Sequence, residues 1–305
     1  MKSSFLTLIG LLLAITTFAQ RQTIVDVQKS YEGITMIEVE AGVLDVSYKG
    51  NNSQTVNMEA LLEAEEDRGQ DLVFVSVGNT LKISYQPAKR RRSGNDTSRG
   101  HIHLTGPSDM QLFINIVASK ILVEDTDSFE THIGFVSGSV ALNNVGGDVY
   151  LEGTSGTVKA QNIGGSIFCE MTSGKVDLDG VGRDVVYKSV TGHLKATEVG
   201  GILDASITSG NITMNDVYEI GSINLTSGSA KAENSGIGVA TSLQGSSGSI
   251  RIQTPTNLQD YNFDISAASG SVTVGNSRSR TLRVDNNAQH TIKGSIASGS
   301  IVIEN

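Results

Sequence analysis

Short stretches in which every second residue is apolar recur along most of the chain, and they recur at a fixed interval. Val140 and Leu142, Val158 and Ala160, Val176 and Leu178, Leu194 and Ala196, and Ile212 and Met214 form pairs that restart every eighteen residues. Apolar residues two apart mark strands, because successive side chains of a strand point to opposite sides. A second set lies half a repeat later, as Val149 and Leu151, Ile167 and Cys169, Val185 and Tyr187, and Leu203 and Ala205. Each repeat therefore predicts at least two short strands joined by two corners.

The corners are marked by glycine. Ser-Gly or Thr-Gly places Gly138, Gly156, Gly174, Gly192, Gly210 and Gly228 at the same eighteen-residue interval. The second corner reads Val145-Gly146-Gly147, Ile163-Gly164-Gly165, Val181-Gly182-Arg183 and Val199-Gly200-Gly201. A chain that reverses within a few residues often needs a positive φ, which glycine adopts without penalty and asparagine or aspartate tolerate. Asn144, Asn162, Asp216 and Asn234 fill the neighbouring slot. Later copies at Ser247, Ser269 and Ser298 follow intervals of 20, 22 and 29 residues, which predicts loops inserted into successive turns. Ser119 stands eighteen residues before Ser137 and places the start of the array at or slightly before it.

One such coil cannot bury its narrow apolar face alone, whereas stacked coils pair every strand above and below and form a continuous core. The sequence thus predicts an all-β chain whose residues 100–305 form a parallel β-solenoid of eighteen-residue coils. Residues 20–99 alternate like strands over 35–39, 43–48, 55–64, 72–77 and 81–85 without that period, and predict an N-terminal cap. The stretch Lys89 to Arg99, with its arginines and small polar residues, reads as an exposed basic loop. At the other end Ser300 to Asn305 reads as a strand with nothing after it to pair with. Either the 276–290 insertion, with Arg278, Arg280 and Arg283, covers that edge, or a second copy does, giving an end-to-end homo-oligomer.

Residues 1–19 carry a secretory signal: Lys2, an apolar run from Phe5 to Phe18, and Thr17-Phe18-Ala19 before the cleavage point. The run is shorter than the ~20 residues that cross a bilayer, so the mature chain is expected to have no membrane span. Export places the protein in the periplasm, at the outer-membrane surface or in the medium. The net charge of −9 argues against nucleic acid as a partner, since phosphate neutralisation needs a basic surface. Cys169 is the one cysteine, so no intrachain disulfide forms, and its place in an alternating run reads as a buried apolar side chain.

The repeated Ser-Gly-x-Val and Val-Gly-Gly units, together with Gly42-Val43-Leu44-Asp45-Val46 and Ser137-Gly138-Ser139-Val140, resemble the bacterial adhesin-candidate families of exported β-strand-repeat proteins. The resemblance covers nearly all of the mature chain. It implies a right-handed solenoid and a cell-surface or adhesive role, with no catalytic residues to carry over.

Candidate chemistry is sparse. The residue after the second corner varies through Asp148, Ser166, Asp184 and Ile202, so the repeated ligands of a calcium-binding roll are not present. His101 and His103 alternate without a third metal ligand, and no metal or cofactor is expected. Asp177 and Asp179 share one side of a strand, as a carbohydrate-active enzyme on a β-helix would need, but Lys159, Asp177 and Lys195 are better read as a column of alternating charge. Tyr150, Phe168 and Val186 occupy an outward slot and form an apolar row, either covered by the cap or a loop or serving as a ligand platform. A non-catalytic surface scaffold that binds a cell-surface polysaccharide or protein is the first expectation, and a lyase or glycosidase the alternative.

Overall fold

The computed structural model describes residues 21–88 and 97–305. The signal segment 1–19 and residues 89–96 of the basic loop lie outside them. The described residues are strand throughout, apart from turns and one short 3-10 segment at Leu258–Asp260.

The strands are β1 Gln22–Glu32, β2 Met36–Gly42, β3 Asp45–Asn51, β4 Thr55–Ala64, β5 Asp71–Val77, β6 Thr80–Gln86, β7 Arg99–Pro107, β8 Gln111–Thr126, β9 Glu130–Val145, β10 Asp148–Gly153 and β11 Thr157–Ile163. They continue as β12 Ile167–Val181, β13 Val185–Glu233, β14 Ile237–Gln253, β15 Asn262–Val274, β16 Ser277–Ser279, β17 Thr281–Val284 and β18 Thr291–Glu304. In the middle of the stack the ladders are parallel. Val149 lies beside Ile167, Val158 beside Val176, and Ile167 beside Val185, each partner eighteen residues on. The pairs expected to face inward do so: Val176, Leu178, Ile167 and Cys169 are all buried. Val145, Ile163, Val181 and Val199, read from sequence as part of a corner, are buried too.

Both corners are explained by backbone geometry. Gly174 has φ 136°, and a Cβ there would stand 2.2 Å from the carbonyl oxygen of Gly156 on the rung below. Its equivalents in the series share the positive φ except Gly192, where the absent side chain instead makes room for the Tyr187 hydroxyl. At the second corner Asp125, Asn144, Asn162, Gly180, Glu198, Asp216 and Asn234 form a column of left-handed residues. Their side chains bond along the stack: Asn144 Nδ2 donates to Asp125 Oδ1 at 2.9 Å, and Asn162 Nδ2 to Asn144 Oδ1 at 3.1 Å. The residue after the glycines also has a job that the sequence did not reveal. Asp148 and Asp184 each accept, through Oδ1, the backbone N–H of the residue eighteen further on, and Asp204, two residues past that slot, does the same for Ser222.

The ends depart from sequence order. β2 and β3 pair in parallel with β8, so the ladder reaches back past residue 100 to Met36. β6 and β7 then add a further rung outside β2 and β3. Among the described residues at this end the antiparallel additions are β1, β4 and β5, with β4 on β7, β1 on β4 and β5 on β6. Arg99, expected in the basic loop, belongs to β7, where its Nε is 3.0 Å from Glu63 Oε2. Ser119 pairs with Gly138, one residue off the expected register.

At the C-terminal end the expectation of an unpaired last strand is overturned. β18 lies between β14 and β15, in parallel with both, and Gly299 faces Gly248 on one side and Gly270 on the other. The outermost rung is β15, and the insertion closes its edge through antiparallel β16 and β17. Arg283 of that cap lies 3.3 Å from Asp264.

Candidate functional site

The rod has two long sides, each made of one strand per rung. On the second side Lys159, Asp177 and Lys195 face one another on successive rungs of an exposed, regular surface. Asp177 therefore sits in an alternating charge column, where modest cross-strand attraction supports register, while Asp179 lies between the uncharged Gln161 and Thr197.

On the first side Tyr150 and Phe168 lie together, as expected, with Val186 on the next rung. Among the described residues, the side chains packed against them belong to the row itself. Phe113 and His132 extend the row in the other direction, and the four rings stack: centroids are 4.7, 4.5 and 5.0 Å apart, with planes within 11°. The spacing is that of the rungs themselves. Each interior ring has a neighbour against both faces, so solvent meets ring edges rather than ring faces. Phe168, at the end of the stack, is 37% exposed. Glu130 Oε2 stands 3.3 Å from His132 Nε2, and beyond Phe113 the row ends on Glu38, which accepts from Lys82 Nζ at 2.6 Å. His132 stands eighteen residues before Tyr150 and was one step from being read; Phe113 was hidden by an interval of nineteen.

Two more outward columns run beside the rings. The nearer contains Asn115, Gly134, Glu152, Glu170 and Lys188 in register. The farther includes Val117, Val136 and Val190, each about half exposed.

The remaining candidates are structural. Cys169 is buried, and desolvation pushes its thiol up to about 12, which keeps it protonated and unreactive. His101 and His103 stack at 4.1 Å, and burial, followed by the neighbouring His101, lowers the pKa of His103. Among the described residues no group of three or more His, Cys, Asp or Glu side chains is arranged to hold a metal. The glycines of the first corner shape the stack.

The chain is similar to several solved structures of bacterial proteins. An adhesin candidate from Bacteroides fragilis shares 13% identity over 92% of this chain and 97% of its own, with a TM-score of 0.39. A candidate cell adhesion protein from Clostridium sporogenes shares 12% over 92% and 99%, with a TM-score of 0.23. A candidate lipid-binding protein from Parabacteroides distasonis shares 14% over 91% and 96%, with a TM-score of 0.40. No curated protein matches the chain. A family profile spans residues 34–304, from the first buried residue before β2 to the end of β18, and the chain belongs to the Toastrack DUF4097 family.

Proposed function

We propose that this is an exported, non-catalytic protein of the cell surface or envelope, a right-handed β-solenoid with eighteen-residue coils that serves as an adhesive or structural binding scaffold. Its binding surface is the first side of the rod, around Tyr150, Phe168 and Val186, and its partner a cell-surface polysaccharide or protein. The observation that carries this reading is a rod closed at both ends by its own strands, with an apolar and aromatic row left open on one flat side. Edge closure favours a monomeric, soluble rod, and a partly exposed apolar row marks a contact surface. The aspartates considered for hydrolysis, in contrast, lie on the other strand of the rung, Asp177 between Lys159 and Lys195 and Asp179 between Gln161 and Thr197.

The test is to express the full chain, fractionate the cells and identify the mature N-terminus. The reading expects processing before Gln20, recovery at the surface or in the medium, and adherence weakened by Tyr150→Ser with Phe168→Ser in a protein that stays folded, its melting temperature lowered only by the lost ring contacts. A cytoplasmic, unprocessed chain contradicts it.

A further inference from the structure

Three depressions on the first side of the rod join end to end. The first is bounded by Glu40, Lys82, Ser84, Phe113 and Asn115; the second shares Phe113 and Asn115 and adds His132, Gly134, Tyr150 and Glu152. The third shares Gly134 and Glu152 and continues to Glu170 and Val190. Together they make one groove parallel to the rod axis. One wall is the edge of the ring stack, the other the column of Val136, Thr154, Thr172 and Val190, and the floor is Asn115, Gly134, Glu152 and Glu170. Gly134 keeps the floor open, since a Cβ there would meet the Asn115 carboxamide oxygen at 2.2 Å.

From this groove we infer a binding site for a linear polysaccharide built of neutral or amino sugars, a proposal that rests on the scaffold reading above and gives it a ligand class. Three features select that class. The groove crosses the rungs, whose backbone N–H and C=O groups are already bonded to their neighbours, so an added peptide strand finds no free edge to pair with. A sugar chain needs none, because it presents hydroxyls along its whole length. The charges select further: Glu38, Glu40, Glu152 and Glu170 outnumber Lys82 and Lys188 along the groove, which repels uronate or phosphate chains. Finally, the walls and floor are complementary to hydroxyl groups. Carboxylates accept from hydroxyl or ammonium hydrogens, and ring edges carry the positive end of the ring quadrupole, which suits hydroxyl oxygens.

Calorimetric titration of the full mature chain tests this with a chitosan hexamer, cellohexaose, an oligogalacturonate and phosphatidylglycerol vesicles. The groove predicts that the first two bind and the last two do not. Glu152→Lys with Glu170→Lys should weaken chitosan binding at least tenfold, and Gly134→Leu should weaken both sugars at an unchanged fold. Gln161→Lys, on the opposite side, should change neither. Unchanged affinity in the groove variants, preference for galacturonate or vesicles, or no sugar binding at all overturns the ligand class. If the chain still holds to cells in that case, the scaffold reading survives alone; if a bound sugar is cleaved, the groove stands and the non-catalytic reading falls.

Discussion

In the middle of the rod, neighbours in space are neighbours in sequence; at the two ends they are not. From β9 to β13 each rung rests on the one eighteen residues before it, and a local insertion would shift nothing else. At the N-terminal end β1 lies outermost on β4, β2 and β3 form an inner rung, β4 to β7 build outward from it, and β8 returns to the inner side. At the C-terminal end it passes outward to β15, turns back through β16 and β17, and fills the slot between β14 and β15 with its last residues. Repetition is thus enough to build the stack, but closing it takes a break in order. The outermost rungs become places where the chain can reverse and lay an antiparallel strand across the exposed edge.

The largest expected effect comes from removing one strand at each kind of place. Deleting residues 167–184 takes out a full eighteen-residue turn, after which Val149 meets Val185 in register. That protein should still fold, with one rung fewer and a modest fall in melting temperature. Deleting only 291–305 opens both β14 and β15 and removes Ile292, Ile296, Ile301 and Ile303 from the core. The shorter deletion should be far worse and give aggregated protein in sedimentation. Equal stability of the two would dissolve the distinction between middle and end.

Within the middle, a single residue sharpens the same point. Gly174→Val combines a side chain at φ 136° with a Cβ 2.2 Å from a carbonyl oxygen of the rung below. It should cost at least about 3 kcal/mol in chemical denaturation, as backbone strain and overpacking add. Asp177→Ala removes one member of an exposed charge column and should cost no more than about 1 kcal/mol.

The smallest effect is a gain. Gly180 belongs to the left-handed column at φ 73° but brings no side chain to it, and a Cβ there would lie 3.3 Å from Asn162 Oδ1, the flexible end of a side chain. Asparagine tolerates this conformation and restricts the unfolded chain relative to glycine. Gly180→Asn should raise stability by about 0.5 to 1 kcal/mol in the same denaturation experiment. A loss there would show that the column of side-chain bonds contributes nothing.

The sequence was most legible where one periodicity governs everything. Alternation placed Val140, Leu142, Val158 and Ala160 in the core, and the glycine spacing located the corners. It failed where pairing leaves chain order, because period alone cannot tell that Gly299 stacks on Gly248 while Gly270 lies beyond it. The strands around Val39 and Val46 were read as a cap for the same reason, having lost the eighteen-residue interval while keeping the parallel ladder. The candidate site was half legible. Tyr150 and Phe168 stood out as apolar residues in an outward slot, but a histidine in the next slot does not look apolar, and only stacking reveals it as part of the row. The aspartates that cap backbone N–H groups were hidden because Ser166 and Ile202 interrupt their column.

The claim that most needs testing is the order of rungs at the C-terminal end, and two cysteine pairs decide it in a Cys169→Ser background. Arg251 lies beside Val302, whereas Thr273 lies on the far side of Val302. A disulfide needs Cα atoms within about 7 Å, a distance met by adjacent strands but not by strands two rungs apart. Under mild oxidation, Arg251→Cys with Val302→Cys should form the bond in monomeric protein, seen as a mobility shift reversed by reductant, while Arg251→Cys with Thr273→Cys should stay reduced. Bond formation by the second pair and not the first would mean that the rungs follow chain order, and the account of how the rod is closed would be wrong.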